Sequence, residues 1–376
     1  MERPLLSKQP FKAIFILCFL ATSSVHVALL AIKYLIRPLR PLPARGWGPS
    51  LLSAITKMTF RLLAKTRLQY VLCDDPSLNK DRYLLIEPPA AHVFSGVLAA
   101  SDSVKPAPLG ALWFPSPPPS RQNMDELKKQ RVILHFPGGA FVIALGQKKF
   151  GSVIADTLMK HLKATRTLWA QYRLCGGSPD SCFPAAIQDA LTFYAYVLGL
   201  GIDPKNIIVS GDSAGGNVAL GLLRHLESVQ GQGQQPLPMP GGAIILSPWV
   251  NVSAQSGRHY DQCTNSPSDN LCGALLQWGA DAYRPREELS SEVEAYVSPL
   301  HHPFKLSIPL FIHDGAAEGF HEDIEAFADE MMEMNSGRVE FRSTPLGAHD
   351  VILLHQDFGI TREFEADLGH AASLLC

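Results

Sequence analysis

The chain has 376 residues, of which 46% are hydrophobic, so it can bury a large core in one big α/β domain or in two domains. Its 33 basic and 35 acidic residues nearly cancel and form no dense basic block, which excludes nucleic acid as a partner. The seven cysteines form no CxxC pair and no metal-ligand spacing, which favours free thiols. Bridges between Cys175 and Cys182 and between Cys263 and Cys272 are the alternative in an oxidising compartment.

The first element in the chain is a long apolar segment at residues 13–32. It contains no Asp, Glu, Lys or Arg and has Lys12 before it and Lys33 after it. A helix of this length spans roughly 30 Å, the thickness of the bilayer hydrocarbon. The apolar core of a cleaved signal peptide, the alternative, is usually shorter. We therefore predict a single-pass membrane anchor with its linker at residues 1–45; the balanced basic flanks leave its orientation open.

The remaining chain, residues 46–376, is predicted to form one domain. An amphipathic helix is expected at residues 50–72, and a proline-rich surface loop begins at Pro115. From Arg131 onward, apolar strands alternate with helices; the strands are expected at residues 131–136, 165–174, 206–211, 242–250, 309–315 and 339–346. Buried strands separated by helices indicate a doubly wound, mostly parallel α/β sheet with helices on both faces.

The stretch Gly211-Asp212-Ser213-Ala214-Gly215 lies between the apolar strand at residues 206–211 and a helical segment. It fits the G-x-S-x-G nucleophile elbow, in which a serine occupies a strained turn and the glycines let strand and helix approach closely. The turn places the hydroxyl near the positive end of the following helix. Ser213 is therefore predicted to be a nucleophile.

A nucleophilic serine needs a base and donors for the oxyanion. In α/β-hydrolases the histidine follows the last strand of the sheet. His349 has that position after the strand predicted at residues 339–346, so it is predicted to be the general base. The donors should come from a glycine-rich turn after an early strand, and Gly138-Gly139-Ala140 directly follows the strand predicted at residues 131–136.

Five motifs in order, HFPGGAF, GDSAGGN, LSPWVN, VSPL and GAHD, resemble the hormone-sensitive-lipase-like family of α/β-hydrolases. The anchor is similar to that of the family's fungal and microsomal sterol and arylacetamide deacetylases. The resemblance implies an oxyanion hole made by the N–H groups of Gly139, Ala140 and Ala214. It also implies a cap made of residues 46–75 and 250–296. The family usually has His-Gly-Gly-Gly at the oxyanion turn, whereas this chain has Pro137-Gly138-Gly139-Ala140, with its histidine two positions earlier at His135.

The triad acid is expected in the segment after the strand at residues 309–315. The family places it a few residues beyond the strand end, and Glu318 has that position. Asp323 is the second candidate and Asp314 the third. Asp314 is expected to lie within the strand, and Glu322 and Asp323 also fit the preference for carboxylates in the first turn of a helix.

These patterns predict a serine ester hydrolase in the membrane of the endoplasmic reticulum. Its expected substrate is a lipophilic ester with a small acyl group, such as an acetylated sterol, terpenoid or other secondary metabolite. No metal or organic cofactor is expected. One alternative is an acyltransferase or a cyclisation-promoting enzyme of a natural-product pathway. The other alternative is a non-catalytic ligand-binding protein on the same scaffold.

Overall fold

The computed structural model describes residues 4–71, 79–101, 103–119, 124–176, 179–230 and 236–376. Part of the predicted cap, residues 72–75, and part of the predicted proline-rich loop, residues 120–123, lie outside the described residues. The strands are β1 (Tyr70–Val71), β2 (Tyr83–Ile86), β3 (Leu109–Phe114), β4 (Val132–Phe136), β5 (Ala144–Leu145), β6 (Arg166–Gln171), β7 (Ile207–Asp212), β8 (Gly242–Leu246), β9 (Leu310–Gly315) and β10 (Val339–Thr344).

The α-helices lie before, between and after the strands along the chain. They are α1 (Phe11–Leu35), α2 (Trp47–Thr66), α3 (Met124–Lys129), α4 (Ser152–Leu162), α5 (Ala185–Gly199), α6 (Ser213–Val229), α7 (Ser256–Gln262), α8 (Gly273–Tyr283), α9 (Ser291–Val297), α10 (His321–Met334), α11 (Val351–Phe358) and α12 (Thr361–Leu375).

Within the described residues, eight strands form one sheet in the order β10-β9-β8-β7-β4-β6-β3-β2. The six strands from β10 to β6 are parallel, and β3 and β2 add an antiparallel edge. Because the carboxyl ends of parallel strands meet at one edge, the loops after β4, β7, β9 and β10 lie close together. The predicted mostly parallel α/β sheet is confirmed. The antiparallel edge was not predicted from the sequence.

The hydrophobic core lies on both faces of the sheet. On β4, Val132, Leu134 and Phe136 belong to one buried cluster and Ile133 to the other, as the alternation of side chains along a strand requires. Helices α5, α6 and α10 contribute to the first cluster, and α4, α11 and α12 contribute to the second. The sheet is therefore covered by helices on both sides.

Helix α1 is the one described helix that is long and apolar enough to cross a membrane, with a mean hydropathy of 2.3. Its outward side chains are more than half exposed; they include Ile14, Leu17, Leu20, Val25, Leu29, Ile32 and Leu35. The other side of α1 contacts α2, where Trp47 Nε1 donates a hydrogen bond to the carbonyl oxygen of Ala31 at 2.8 Å. The apolar helix predicted near the amino terminus is present.

Helix α2 in turn contacts α8, which packs against α7. These three helices come from the two segments that were predicted to form a cap, and that role stays a prediction. Helix α2 ends at Thr66, where Arg67 adopts a left-handed conformation, rather than continuing to residue 72. The loop predicted from Pro115 contains the short helix α3. The six described cysteines are free, so neither of the two alternative bridges is present.

Candidate active site

Ser213 lies at the junction of β7 and α6, at the carboxyl edge of the sheet. Its φ of 53° is in the left-handed region, which is strained for a residue with a side chain. A Cβ atom at Gly215 would lie 1.9 Å from the carbonyl oxygen of Phe136 on the neighbouring strand. Only glycine fits there, so the local sequence allows the sharp turn that lifts the serine above the sheet.

His349 lies in the loop after β10 and points to the serine. Its Nε2 atom is 2.8 Å from Ser213 Oγ, a hydrogen-bond distance. Both residues are buried, with 5% of Ser213 and 2% of His349 exposed. The structure therefore brings together the two residues that the sequence predicted as nucleophile and base.

Among the four carboxylates predicted near the end of β9, Glu318 faces His349. Its Oε1 atom is 3.7 Å from His349 Nδ1, which is longer than a hydrogen bond. Neither of these two atoms has a hydrogen-bond partner within the described residues. The other oxygen, Oε2, accepts hydrogen bonds from the Ser247 hydroxyl at 2.6 Å and from the Gly315 N–H at 3.2 Å. Glu318 is thus held with one oxygen directed at the imidazole.

The other carboxylates have different partners. Asp323 accepts a hydrogen bond from the Asn251 amide at 3.1 Å and lies 3.1 Å from His259 Nε2. Asp314 lies within β9, as expected, and its Oδ2 is 2.8 Å from His321 Nδ1. Glu322 is exposed in the first turn of α10. The geometry therefore favours Glu318 over Asp323 and Asp314 as the group that orients His349.

The glycine-rich turn after β4 adopts left-handed backbone conformations, with φ of 51° at Ala140 and 132° at Gly139. The Gly138 N–H donates to Asp212 Oδ2 at 2.9 Å. In the part of the chain that the structure describes, the N–H groups of Gly139 and Ala140 donate no hydrogen bond. Ala214 lies in the first turn of α6, where N–H groups lack helical partners. These three N–H groups remain available to an anion.

Residues 133–353, more than half of the chain, match the family defined by the α/β hydrolase fold. The chain belongs to this family. It is 26% identical to an acetyl-hydrolase of Streptomyces hygroscopicus over 201 residues, which cover 52% of the chain and 60% of that protein. It is 34% identical to an esterase of Acinetobacter venetianus over 140 residues, which cover 35% of the chain and 41% of that protein.

A putative steryl acetyl hydrolase of Schizosaccharomyces pombe is 26% identical over 166 residues, which cover 43% of the chain and 41% of that protein. The chain thus spans 60% or less of the length of these curated relatives. A crystal structure of an esterase from the bacterial hormone-sensitive lipase family matches at a TM-score of 0.56 and 21% identity, over 85% of this chain and 90% of that chain. The predicted resemblance to hormone-sensitive-lipase-like α/β-hydrolases is confirmed.

In this α/β-hydrolase, His135 is connected through Asp212 to the glycine-rich turn after β4. Its Nε2 is 2.9 Å from Asp212 Oδ1, its Nδ1 is 3.0 Å from Ser210 Oγ, and its ring stacks on Trp169. Asp212 therefore joins the buried histidine to the Gly138 N–H. Both residues lie within the quoted motifs, His135 in HFPGGAF and Asp212 in GDSAGGN, but the motifs alone gave no role to Asp212.

Asp350 is a functional candidate that sequence reasoning missed, and its position next to His349 was the available signal. It has a left-handed φ of 58°, and its Oδ2 is 3.5 Å from His349 Nε2, the atom that faces Ser213. His349 is thus flanked by two carboxyl groups, Glu318 beside Nδ1 and Asp350 beside Nε2.

Burial lowers the pKa of His349, but the charges of Asp350 and Glu318 outweigh it and raise this pKa to about 10. Burial also raises the pKa of the Glu318 and Asp350 carboxyl groups, which the positive imidazole opposes. The three groups therefore titrate as one unit rather than independently.

Proposed function

We propose that the protein is a serine carboxylic ester hydrolase, and the 2.8 Å contact between Ser213 Oγ and His349 Nε2 carries this proposal. A serine hydroxyl is a weak nucleophile unless a base can take its proton during attack. The strained conformation of Ser213 at the elbow presents the hydroxyl to a substrate carbonyl above the sheet.

In the proposed reaction, Ser213 Oγ attacks the ester carbonyl while its proton passes to His349 Nε2. The N–H groups of Gly139, Ala140 and Ala214 stabilise the oxyanion of the tetrahedral intermediate. His349 then gives the proton to the leaving alcohol, and the acyl group remains on Ser213. A water molecule, activated by His349, hydrolyses this acyl-enzyme through a second tetrahedral intermediate and restores the serine. These steps use groups of the chain itself and require no metal or organic cofactor.

Glu318 is the proposed acid of the triad. Its role is to orient the imidazole and to stabilise the imidazolium that forms during attack. The hydrogen bonds from Ser247 and Gly315 hold one carboxylate oxygen and leave the other opposite His349 Nδ1. Catalytic hydrogen bonds are often long in the absence of substrate, which is consistent with the 3.7 Å separation.

The proposed substrate is a lipophilic ester with a small acyl group, of the acetylated sterol, terpenoid or secondary-metabolite type. Phe320 packs edge-on against the imidazole of His349 at 5.2 Å, and Trp249 stacks on Phe320 at 6.1 Å between ring centroids. The backbone N–H of Trp249 donates to the carbonyl oxygen of Ser213. Apolar rings beside the reacting groups favour an apolar substrate. The names of two relatives, an acetyl-hydrolase and a putative steryl acetyl hydrolase, support an acetyl ester.

Helix α1 is proposed to anchor the enzyme as a single membrane span. Its mean hydropathy of 2.3 and its exposed apolar side chains support this role, since such a surface is costly in water. The resemblance to membrane-anchored microsomal deacetylases supports the endoplasmic reticulum as the location. Attachment to a membrane would bring the site close to esters dissolved in the lipid.

Labelling with a fluorophosphonate probe tests the proposed activity, because the probe reacts with activated serines. The expected result is labelling of the wild-type protein at the peptide that contains Ser213, and none of the Ser213→Ala variant. Hydrolysis of p-nitrophenyl acetate by the same preparations is the second readout. A folded wild-type protein that shows neither labelling nor hydrolysis would favour a ligand-binding protein on this scaffold.

A further inference from the structure

The segment between α7 and α8 contains a buried carboxylate that the proposed mechanism does not use. Asp269 is 1% exposed, and both of its oxygens are saturated with hydrogen bonds. Its Oδ1 accepts from the N–H groups of His349 and Asn270, each at 2.8 Å. Its Oδ2 accepts from the Tyr260 hydroxyl at 2.6 Å and from the Gly319 N–H at 2.8 Å. One side chain therefore holds the backbone beside both the proposed base and the proposed acid.

Asn270 holds the other side of the same histidine. Its Nδ2 donates to the carbonyl oxygen of His349 at 2.9 Å, and the residue is 5% exposed. Asp269 and Asn270 thus bind both the N–H and the C=O of His349. Two hydrogen bonds on opposite sides restrict rotation of this backbone and therefore the direction of the imidazole.

Two further side chains of the segment bind the loop of Glu318. Asn265 Nδ2 donates to the carbonyl oxygens of Ala316 and Glu318, each at 3.2 Å. The Ser268 hydroxyl lies 3.4 Å from the carbonyl oxygen of Ala317. The loops that follow β9 and β10 are therefore both bound to one segment that belongs to neither strand.

The buried negative charge of Asp269 has positive groups nearby. Arg45 and Lys57 donate to the carbonyl oxygens of Ser268 and Ser266, respectively. Burial lowers the pKa of Arg45 to about 10, and the charge of Asp269 opposes this shift. Burial likewise lowers the pKa of Lys57, against the charge of Asp269. A buried carboxylate with four donors and two nearby cations is a built structural feature rather than a chance burial.

We propose that Asp269 and Asn270 are positioning residues that align His349 with Ser213 and Glu318 for ester hydrolysis. This inference rests on the proposed function. Neither residue contacts the reacting atoms; both act through the backbone of His349. Because a misplacement of about 1 Å can cost on the order of 100-fold in rate, loosening His349 should reduce turnover strongly.

The test compares Asp269→Asn and Asn270→Ala with Asp261→Asn as the matched control. Asp261 also lies in this part of the chain and accepts a hydrogen bond from the Gly273 N–H at 3.0 Å, but within the described residues it makes no hydrogen bond to either triad loop. For p-nitrophenyl acetate, kcat of the two test variants should fall about 10- to 100-fold while KM stays within about threefold. The rate of fluorophosphonate labelling should fall in parallel, and the control should keep wild-type values.

Two measurements separate positioning from simple stability. Thermal unfolding gives the melting temperature of each variant. The pH profile of kcat/KM is then recorded below that temperature, where the variant is folded. In Asn270→Ala, which removes no charge, a positioning role shifts the limb of the pH profile that reports the pKa of His349, whereas a purely structural role lowers the melting temperature and leaves kcat and this limb unchanged. That second result would overturn the proposal. If Asp269→Asn does not fold, Asn270→Ala decides, since it removes a single donor to His349.

Fluorophosphonate labelling and ester hydrolysis distinguish the proposed hydrolase function from the proposed positioning role. Wild-type protein without labelling or turnover would contradict the proposed hydrolase function, and the positioning role with it. Wild-type activity that is fully retained by folded Asp269→Asn and Asn270→Ala would overturn the positioning role alone.

Discussion

The guanidinium of Arg45 donates hydrogen bonds to the carbonyl oxygen of Leu346 at 2.8 and 3.2 Å, three residues before His349. Arg45 is 2% exposed and also contacts Ser53 and Ser268. The residue that ends the predicted linker is therefore bound to the loop of the proposed base. Truncations that test the membrane anchor should end before Arg45.

Deleting residues 1–36 should leave turnover of a small water-soluble ester largely intact, because Arg45 and α2 remain. Turnover of a membrane-embedded acetyl ester should fall at least several-fold, because the enzyme loses its attachment. The measurement compares p-nitrophenyl acetate in solution with an acetylated sterol in vesicles. Equal retention of both activities would mean that the anchor serves localisation alone.

Deleting residues 1–46 is the matched control for that truncation. It also removes Arg45, whose side chain is bound to the carbonyl oxygen of Leu346. Both activities should therefore fall, and the melting temperature should drop. A protein without residues 1–46 that hydrolyses the soluble ester as well as the wild type does would contradict a role for Arg45 in the His349 loop.

Ser213→Ala and His349→Ala should each reduce kcat for p-nitrophenyl acetate by about 1,000-fold or more, since triad residues act as a unit. The double variant should lose little beyond either single variant. His370→Ala is the control, because His370 is exposed on α12 and its Nδ1 lies 3.3 Å from Glu340, which is not a site residue. Near-normal turnover by either single variant would contradict the proposed roles of Ser213 as nucleophile and His349 as base.

Glu318→Gln should reduce kcat about 100-fold or more, because an amide cannot stabilise the imidazolium as a carboxylate does. Asp323→Asn should have a small effect, since Asp323 is bound to Asn251 and His259. Steady-state kinetics of the two variants decide whether Glu318 or Asp323 is the triad acid. A larger loss in Asp323→Asn would overturn the assignment of Glu318.

The pH dependence of kcat/KM should be affected by the two carboxyl groups beside His349. The base form of the imidazole is needed for attack, so kcat/KM should fall as the pH drops below the raised pKa of His349, which is about 10. Asp350→Asn removes the charge that contributes most to the raised pKa of His349. This pKa should therefore fall, and the acidic limb of the kcat/KM profile should move to lower pH. Profiles between about pH 5.5 and 10.5 test this. Asp357→Asn, an exposed change on α11, should leave the limb in place.

The parts of the fold and the candidate site that the sequence predicted have local causes. The elbow around Ser213 is contiguous: an apolar β-branched strand, two glycines at the close approaches and a helix. His349 could be located because it follows the last strand of a regular alternation. The edge strands β2 and β3 lacked such a signal, because antiparallel neighbours need no intervening helix.

The contacts between distant segments were determined by the tertiary structure alone. Asp269 lies 80 residues from His349 along the chain, and Arg45 lies 301 residues from Leu346. No spacing or periodicity marks these partners, because a hydrogen bond to a loop carbonyl or N–H depends on where the elements pack. The choice among Glu318, Asp323 and Asp314 has the same origin: three carboxylates within ten residues differ only in the direction that packing gives them. Local sequence determined the turn that carries Ser213, and the packed loops determined which groups surround it.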